Sequence, residues 1–488
     1  MFIGIDLGTS GVKVVLVNAE GSVVDTQSSP ISISRPKPLW SEQDPNEWWL
    51  ATNTAMEALQ QNQDLSGVKA IGLSGQMHGA TLLDENDRVL RPAILWNDGR
   101  CAKECTELES AVPNSREITG NIMMPGFTAP KLLWVKKHEP EVFGKVSKVL
   151  LPKDYLRFCM TGVYASDMSD SAGTMWLNVA KRDWADELLT ATGLSRSHMP
   201  KLYEGPEVTG YLQKDVAAKW GMQEVPVVAG AGDNAGGALG AGIHEAGQAM
   251  LSLGTSGVYF YADDKFVSNP ESALHSFCHA LPDAWHSMSV ILSAASCLDW
   301  VANLTGFASV PEMIKSLEEN DTPASNSNVI FLPYLSGERT PHNDPEAKGV
   351  FFGMDHSTSR QQLVHAVLEG VGFALADGLD AVHAKSPAPG EIMLIGGGAR
   401  SEYWRQLLAD IFGIPVTFGE GGDVGPALGA ARLAMVPLAL HSAASDYFPT
   451  PKTIATHIPD DEKHKQLSEK REVYKKLYVS LKPIFPLV

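Results

Sequence analysis

The sequence predicts an α/β protein built as two similar halves. Three observations lead there. The chain has 488 residues, too many for one ordinary hydrophobic core. The pentapeptide LGTSG occurs at 7–11 and again at 253–257, 246 residues apart (253 less 7), about half the chain length. Apolar, strand-like runs alternate with helical stretches in both halves.

The elements follow in order. IGID at 3–6 is a short apolar run, GTSG turns, VKVVLV is β-branched, AEG turns again and SVVDTQ alternates. That reads as a three-strand meander. Asp44-Pro45-Asn46-Glu47 puts Asp at a helix N-cap, Pro at the first helical position and Glu at the third. A helix through NEWWLATNTAMEALQQ follows, with Trp48 and Trp49 as core anchors. Pro130 reads as a breaker, after which KLLWVKKH at 131–138 is helical. VPVVAGAGDNAGGALGAG at 225–242 is a buried strand entering a Gly/Ala-rich turn and a helix. QAMLSLGTSGVYFYADD at 248–264 repeats the strand–loop–strand plan. IMLIGGG at 392–398 is a buried strand ending in three glycines, and ARSEYWRQLLADIFG is the next helix. The tail from about Asp460 is charged, helical and peripheral. Matched context at half-length spacing points to duplication, with domains at 1–243 and 244–488.

Composition narrows the function classes. Hydrophobic residues make up 44% and charged residues 20%, as in soluble globular proteins. No stretch offers 18 uninterrupted apolar residues, so no membrane span is expected. MFIGIDLGTS has no basic region, apolar core or cleavage site of a secretory signal. Five cysteines, an odd number without a Cys-x-x-Cys pair, fit a reducing cytoplasm. His275, Cys278 and His279 lack the second ligand cluster usual for zinc and read as a buried strand or loop. A formal charge of −18 argues against nucleic acid. An anion such as ATP would be held locally by backbone N–H groups, a few cations and Mg²⁺.

The repeated loop suits phosphate. Its glycines are expected to supply unusual φ and close backbone approach, and successive N–H groups make an anion nest. Gly8, Thr9 and Ser10 in the first copy and Gly254 and Thr255 in the second would hold neighbouring phosphates of one nucleotide. Asp6 precedes the first loop, where the second has Ser252. A carboxylate there repels phosphate unless a cation intervenes, so Asp6 is expected to face Mg²⁺ through its water shell. Lys13 is either a phosphate ligand or an exposed strand lysine. Asp233, among Gly and Ala, is either an approachable cleft carboxylate or an N-cap. No Walker A loop exists, and the glycines at 396–398 fail the dinucleotide pattern because Ser401 takes its last position.

Longer stretches are similar to the FGGY carbohydrate kinases over essentially the whole chain. GFTAPKLLW at 126–134 resembles the family's first signature. GVFFG at 349–353 through Glu369, preceded by SGERTPHNDPEAKG at 336–349, resembles the second. SGQMHG at 74–79, ILWNDGR at 94–100, LLPKDYL at 150–156 and GDNAGGALG are most similar to members that phosphorylate D-xylulose. The resemblance implies two ribonuclease-H-like domains of the actin, hexokinase and heat-shock-chaperone ATPase superfamily, flanking a deep cleft. It implies ATP phosphates between the two hairpins and Gly397 and Gly398 under the nucleotide. Ser401 stands where relatives often carry Asn. It implies sugar against Met77 and His78, with Asp233 and Asn234 at the floor and Trp96, Arg100 and Lys153 as further lining. Asp233 would accept the proton of the C5 hydroxyl as it attacks MgATP. Family members are often homodimers. The rival readings are a kinase of ribulose, fuculose, gluconate or glycerol, and a non-enzymatic ATP-binding switch.

Overall fold

The computed structural model describes residues 1–319, 327–419, 425–440 and 443–488. In the first half, β1 (Phe2–Leu7), β2 (Gly11–Val17) and β3 (Val23–Pro30) form the expected antiparallel meander. Helix α1 (Pro45–Asn62) follows, its N-cap Asp44 accepting from the Asn46 N–H at 2.9 Å. Strand β4 (Ile71–Gly75) lies parallel to β1. Helices α2 (Thr128–His138), α3 (Pro152–Thr161) and α4 (Met168–Ala172) come next. Then β5 (Val208–Tyr211) and β6 (Pro226–Val228) complete a sheet of order β5-β6-β4-β1-β2-β3, with β7 (Ala231–Gly232) beside the end of β4. Helix α5 (Asp233–Gly240) leaves directly from β7.

The second half repeats the plan. Strands β8 (Ala249–Leu253), β9 (Gly257–Asp263), β10 (His275–Cys278) and β11 (Trp285–Ile291) precede a long helix, α6 (Arg360–His383). Strand β12 (Ile392–Ile395), α7 (Glu402–Phe412), β13 (Val416–Gly419), α8 (Gly425–Met435), β14 (Thr453–His457) and α9 (Asp461–Leu481) follow. The sheet order is β10-β11-β9-β8-β12-β13-β14. In each half three antiparallel strands pass into two parallel ones: β3-β2-β1-β4-β6 and β11-β9-β8-β12-β13. This is the ribonuclease-H-like order.

Strand β1 is apolar except at Asp6 because both its faces are covered. Ile3, Ile5 and Leu7 pack with Trp48, Ala55 and Leu59 of α1. The other face meets α8, which comes from the far end of the chain. A Cβ at Gly4 would lie 1.9 Å from Ala427 O, one at Gly72 1.8 Å from Ala430 O, and one at Gly429 1.9 Å from Gly236 O. Helix α8 thus sits in backbone contact with β1, β4 and α5. Arg432 of α8 donates to Leu239 O (2.9 Å) and Gly240 O (3.0 Å), closing the negative end of α5.

Two local expectations need correction. Pro130 is not a breaker: it is the third residue of α2, where a helix lacks intrahelical N–H bonds anyway. The C-terminal helix is not peripheral. Lys470 and Arg471 of α9 pair with Glu369 and Asp377 of α6, and Tyr474 and Tyr478 are buried. Trp48 is buried and Trp49 stacks at a tilt on Trp220, as core anchors should. No helix among the described residues is long and apolar enough to cross a membrane.

Candidate active site

The site begins at the edge where β1, β2 and β4 lie side by side. Asp6 is paired in register with Lys13 on β2 and Ser74 on β4, so the three side chains share one face. In the second half the equivalent Ser252 is flanked by Val258 and Ile395. The duplicated frame therefore carries its charge on one side only. Asp6 Oδ1 is sealed from solvent and accepts no hydrogen bond. Burial and then the Asp233 carboxylate push Asp6 up to about 7, against the pull of Lys13. A buried, unsatisfied carboxylate oxygen facing a second carboxylate is a fit place for a hydrated cation.

The two LGTSG copies close differently. Leu7 pairs with Val12 and Gly8 N–H donates to Gly11 O at 3.0 Å, whereas Leu253 pairs with Gly257 and Gly254 N–H donates to Ser256 O at 3.1 Å. None of the four loop glycines has positive φ, so unusual φ is not their purpose. Close approach is: a Cβ at Gly11 would meet Ser29 O at 2.7 Å, and one at Gly257 would meet Ile291 and Leu375 at 2.9 Å. The first loop is braced by side chains. Gln43 Nε2 donates to Thr9 O (2.7 Å) and Trp96 Nε1 to Thr9 Oγ1 (3.0 Å). The Thr9 hydroxyl proton thus remains available to an anion. Ser10 is exposed. The second loop is braced by 294–296, with Ser296 Oγ donating to Thr255 O at 2.8 Å.

Asp233 is the first residue of α5, not its N-cap, which is Gly232. Its Oδ1 accepts from Asn234 N–H (2.8 Å) and Nδ2 (3.0 Å). Asn234 therefore fixes the carboxylate at the start of α5. Burial raises Asp233 to about 6. The repulsion with Asp6 falls on Asp6, because in such a pair the group that ionises second feels it.

His78 adopts φ +69°. Its Nδ1 lies 2.8 Å from Gly173 O; a carbonyl cannot donate, so Nδ1 carries the proton and Nε2 is an open acceptor. The ring packs edge-on against Phe127 at 4.9 Å. Burial and then Lys131 hold it down to about 3, so it is neutral at working pH. Met77 is buried beside it, close enough that a Cβ at Gly232 would lie 2.9 Å from its sulfur.

Two other expected lining residues, Arg100 and Lys153, have their side chains buried in ion pairs instead. Arg100 is buried in ion pairs with Asp98 and Glu42 and lies over the Trp40 ring. Lys153 is fully buried among three aspartates. Charges in an apolar setting need partners, and these found them inside. Trp96 turns to the first loop. Gly397 is exposed to open space, but Gly398 is a packing position, where a Cβ would strike Trp404 at 2.8 Å and Leu253 at 3.0 Å. The Ser401 hydroxyl caps α7 through Trp404 N–H at 3.2 Å. Nearby, a cavity of about 160 Å³ lies between α5 and the β12–β13 edge, walled by Gly237, Gly240, Ile395, Gly396 and Phe418. Among the described residues no group of three or more His, Cys, Asp or Glu is placed to hold a metal ion. Sequence reasoning missed Gln43 and also Arg339, which comes from the second half and lies near both His78 and His275. The signal for Arg339 was its place in SGERTPH, between the signatures.

Comparison with known proteins places this geometry. Residues 1–240 match the N-terminal domain of the FGGY family of carbohydrate kinases, and residues 249–438 match its C-terminal domain. The chain belongs to the FGGY family of carbohydrate kinases. It is 62% identical over 484 residues to the xylulose kinase of Escherichia coli (strain K12), covering 99% of this chain and 100% of that one. It is 40% identical over 442 residues to the xylulose kinase of Bacillus subtilis (strain 168), covering 88% and 87%. Its structure superposes on that of a xyloylose kinase from Brucella ovis with a TM-score of 0.94 at 47% identity, covering 99% of both chains. A gluconate kinase from Lactobacillus acidophilus superposes at 0.92 with 27% identity, covering 98% and 97%. The FGGY fold is therefore shared by kinases of different sugars, and the pocket decides among them.

Proposed function

We propose that this FGGY kinase transfers the γ-phosphoryl group of MgATP to the C5 hydroxyl of D-xylulose. The observation that carries the substrate is identity above 60% over nearly the whole chain to relatives named xylulose kinase. Asp233 is the general base. A carboxylate raised to about 6 is ionised at neutral pH yet basic enough to take a proton in the transition state. The hydroxyl oxygen attacks the γ-phosphorus, its proton passes to Asp233, and the bond to ADP breaks. His78 Nε2 accepts a hydrogen bond from a sugar hydroxyl, and Met77 offers an apolar wall. The backbone and hydroxyls of the two hairpins, with Lys13, hold the phosphates. Gly397 lies under the adenosine. Asp6 would hold Mg²⁺ through water; when bound, the ion neutralises charge on the phosphate oxygens. The unpaired cysteines fit a cytoplasmic setting, and the boundary between the two units falls at 243/244.

The test is ADP release with MgATP across no sugar, D-xylulose, ribulose, L-fuculose, gluconate, xylitol and glycerol. Strong stimulation by D-xylulose supports the reading. Stimulation by a different member alone corrects the pocket, and turnover indifferent to every sugar overturns it.

A further inference from the structure

The buried ions around Lys153 lie outside the reaction as described, yet they connect to both ends of it. Lys153 Nζ stands 2.7 Å from Asp154 Oδ1, 2.7 Å from Asp167 Oδ1 and 3.0 Å from Asp170 Oδ2, with every side chain fully buried. Arg157 joins through Asp154 at 2.6 Å and also donates to Ala229 O, four residues before Asp233. Two cations thus face three carboxylates. Burial, with the neighbouring Asp154 and Asp167, pushes the Asp170 carboxyl well above its ordinary value against the pull of Lys153.

Helix α4 grows out of this cluster. Asp167 is its N-cap, accepting from Ser169 N–H at 2.8 Å and from the Ser169 hydroxyl. That hydroxyl has one proton, already given to Asp167, so its lone pair accepts the Gly232 N–H at 3.1 Å. Two donors point one way, Gly232 N–H to Ser169 Oγ and Ser169 O–H to Asp167 Oδ2, and the Lys153 ammonium faces the other Asp167 oxygen as an ion pair. Gly232 is the N-cap of the helix that opens with Asp233. At its other end α4 finishes in Gly173, whose carbonyl takes the His78 Nδ1 proton at 2.8 Å. Gly173 is pressed against that ring: a Cβ there would lie 2.3 Å from His78 Cε1 and 3.1 Å from Met77 Cε.

We propose that Lys153, Asp167 and Ser169 are positioning residues which, through the one short helix α4, set the base and the sugar-orienting histidine relative to each other. The inference rests on the sugar-kinase reading of Asp233. Charge-assisted bonds in a dry interior polarise one another and tolerate little displacement. That stiffness is what a base needs, since a misplacement of about 1 Å can reduce rate 10²-fold.

The experiment uses the full chain with Ser169→Ala and Ser169→Thr. Initial rates with D-xylulose and MgATP are measured from pH 5 to 9, together with the Kd for ADP. Ser169→Ala is expected to lower kcat by about 10- to 100-fold. It should also move the acidic limb of the kcat/KM profile, which reports the free enzyme, to lower pH than in wild type, because an Asp233 released toward water ionises more easily. ADP affinity should stay within about twofold, and Ser169→Thr, which keeps the hydroxyl, should recover most of the rate. A soluble Ser169→Ala with wild-type kcat would overturn the inference. So would a lowered kcat with an unmoved acidic limb and no recovery in Ser169→Thr. If Ser169→Ala does not fold, Asp167→Asn, which keeps the side-chain shape, is read by the same kcat and acidic-limb criteria. An inactive Asp233→Asn beside a fully active Ser169→Ala refutes this inference alone; an active Asp233→Asn refutes the parent reading.

Discussion

Asp6→Asn should make the metal-free protein more stable at pH 8 while destroying its activity. The wild-type carboxyl sits at about 7 in the fold against an ordinary value of 3.8. Folding therefore favours its protonated form. Its stabilising contribution is complete below about pH 4 and is lost as pH rises through 7. At about 1.4 kcal/mol for each tenfold change, the gap corresponds to about 4 kcal/mol. Asp6 is partly open to the cleft, so we expect about 2–3 kcal/mol to be realised. An amide of the same shape does not ionise and escapes the loss. Thermal unfolding of both proteins in chelator, at pH 5 and pH 8, reads this directly. The variant should melt several degrees higher at pH 8, and the gap should shrink by more than half at pH 5, between the unfolded and folded values. A wild type that is the more stable at pH 8 would show that Asp6 is ionised and paired with Lys13 before any cation arrives, and would refute the reasoning. In the same variant the kinase rate should fall by about 10²-fold or more.

Gly429→Ala should destabilise the fold by several kcal/mol or yield insoluble protein, because its Cβ would lie 1.9 Å from Gly236 O; the melting temperature and soluble yield check it. Lys131 Nζ donates to His78 O at 2.9 Å. Lys131→Met should raise the KM for D-xylulose by about 10-fold, the loss of one charged hydrogen bond, with the ADP Kd unchanged. The acidic limb of kcat/KM should fall near pH 6, where Asp233 titrates, and not follow His78, which is held at about 3. His78→Gln should therefore weaken sugar binding while leaving that limb in place, as a pH–rate series in the variant would show.

Local pattern carried much of the fold. IGIDLGTSGVKVVLV and AMLSLGTSGVYFYAD announced their strands because every strand of a covered sheet is apolar and every turn needs small residues. Asp44-Pro45 and GDNAGG each marked a helix start. What stayed hidden depends on distant partners. Nothing near 425–435 shows that this helix lies against Gly4 and Gly72, since a Gly/Ala seam reads only as helix. Lys153 and Arg100 look like ligands in sequence because a charge carries no sign of its burial; their partners Asp167, Asp170 and Glu42 come from other elements. The two LGTSG copies are identical in letters but differ in register, because β3 presses on Gly11 while Ile291 and Leu375 press on Gly257. Arg339 reaches His78 only through the meeting of the two halves.

The most direct measurement is D-xylulose-dependent ADP release by wild type and Asp233→Asn at saturating MgATP, with ADP binding measured on both. Strong sugar-dependent turnover is expected in the wild type, with a loss of at least about 10²-fold in the variant and equal ADP affinity. A variant that keeps more than about a tenth of the wild-type rate would contradict the assignment of Asp233 as the base.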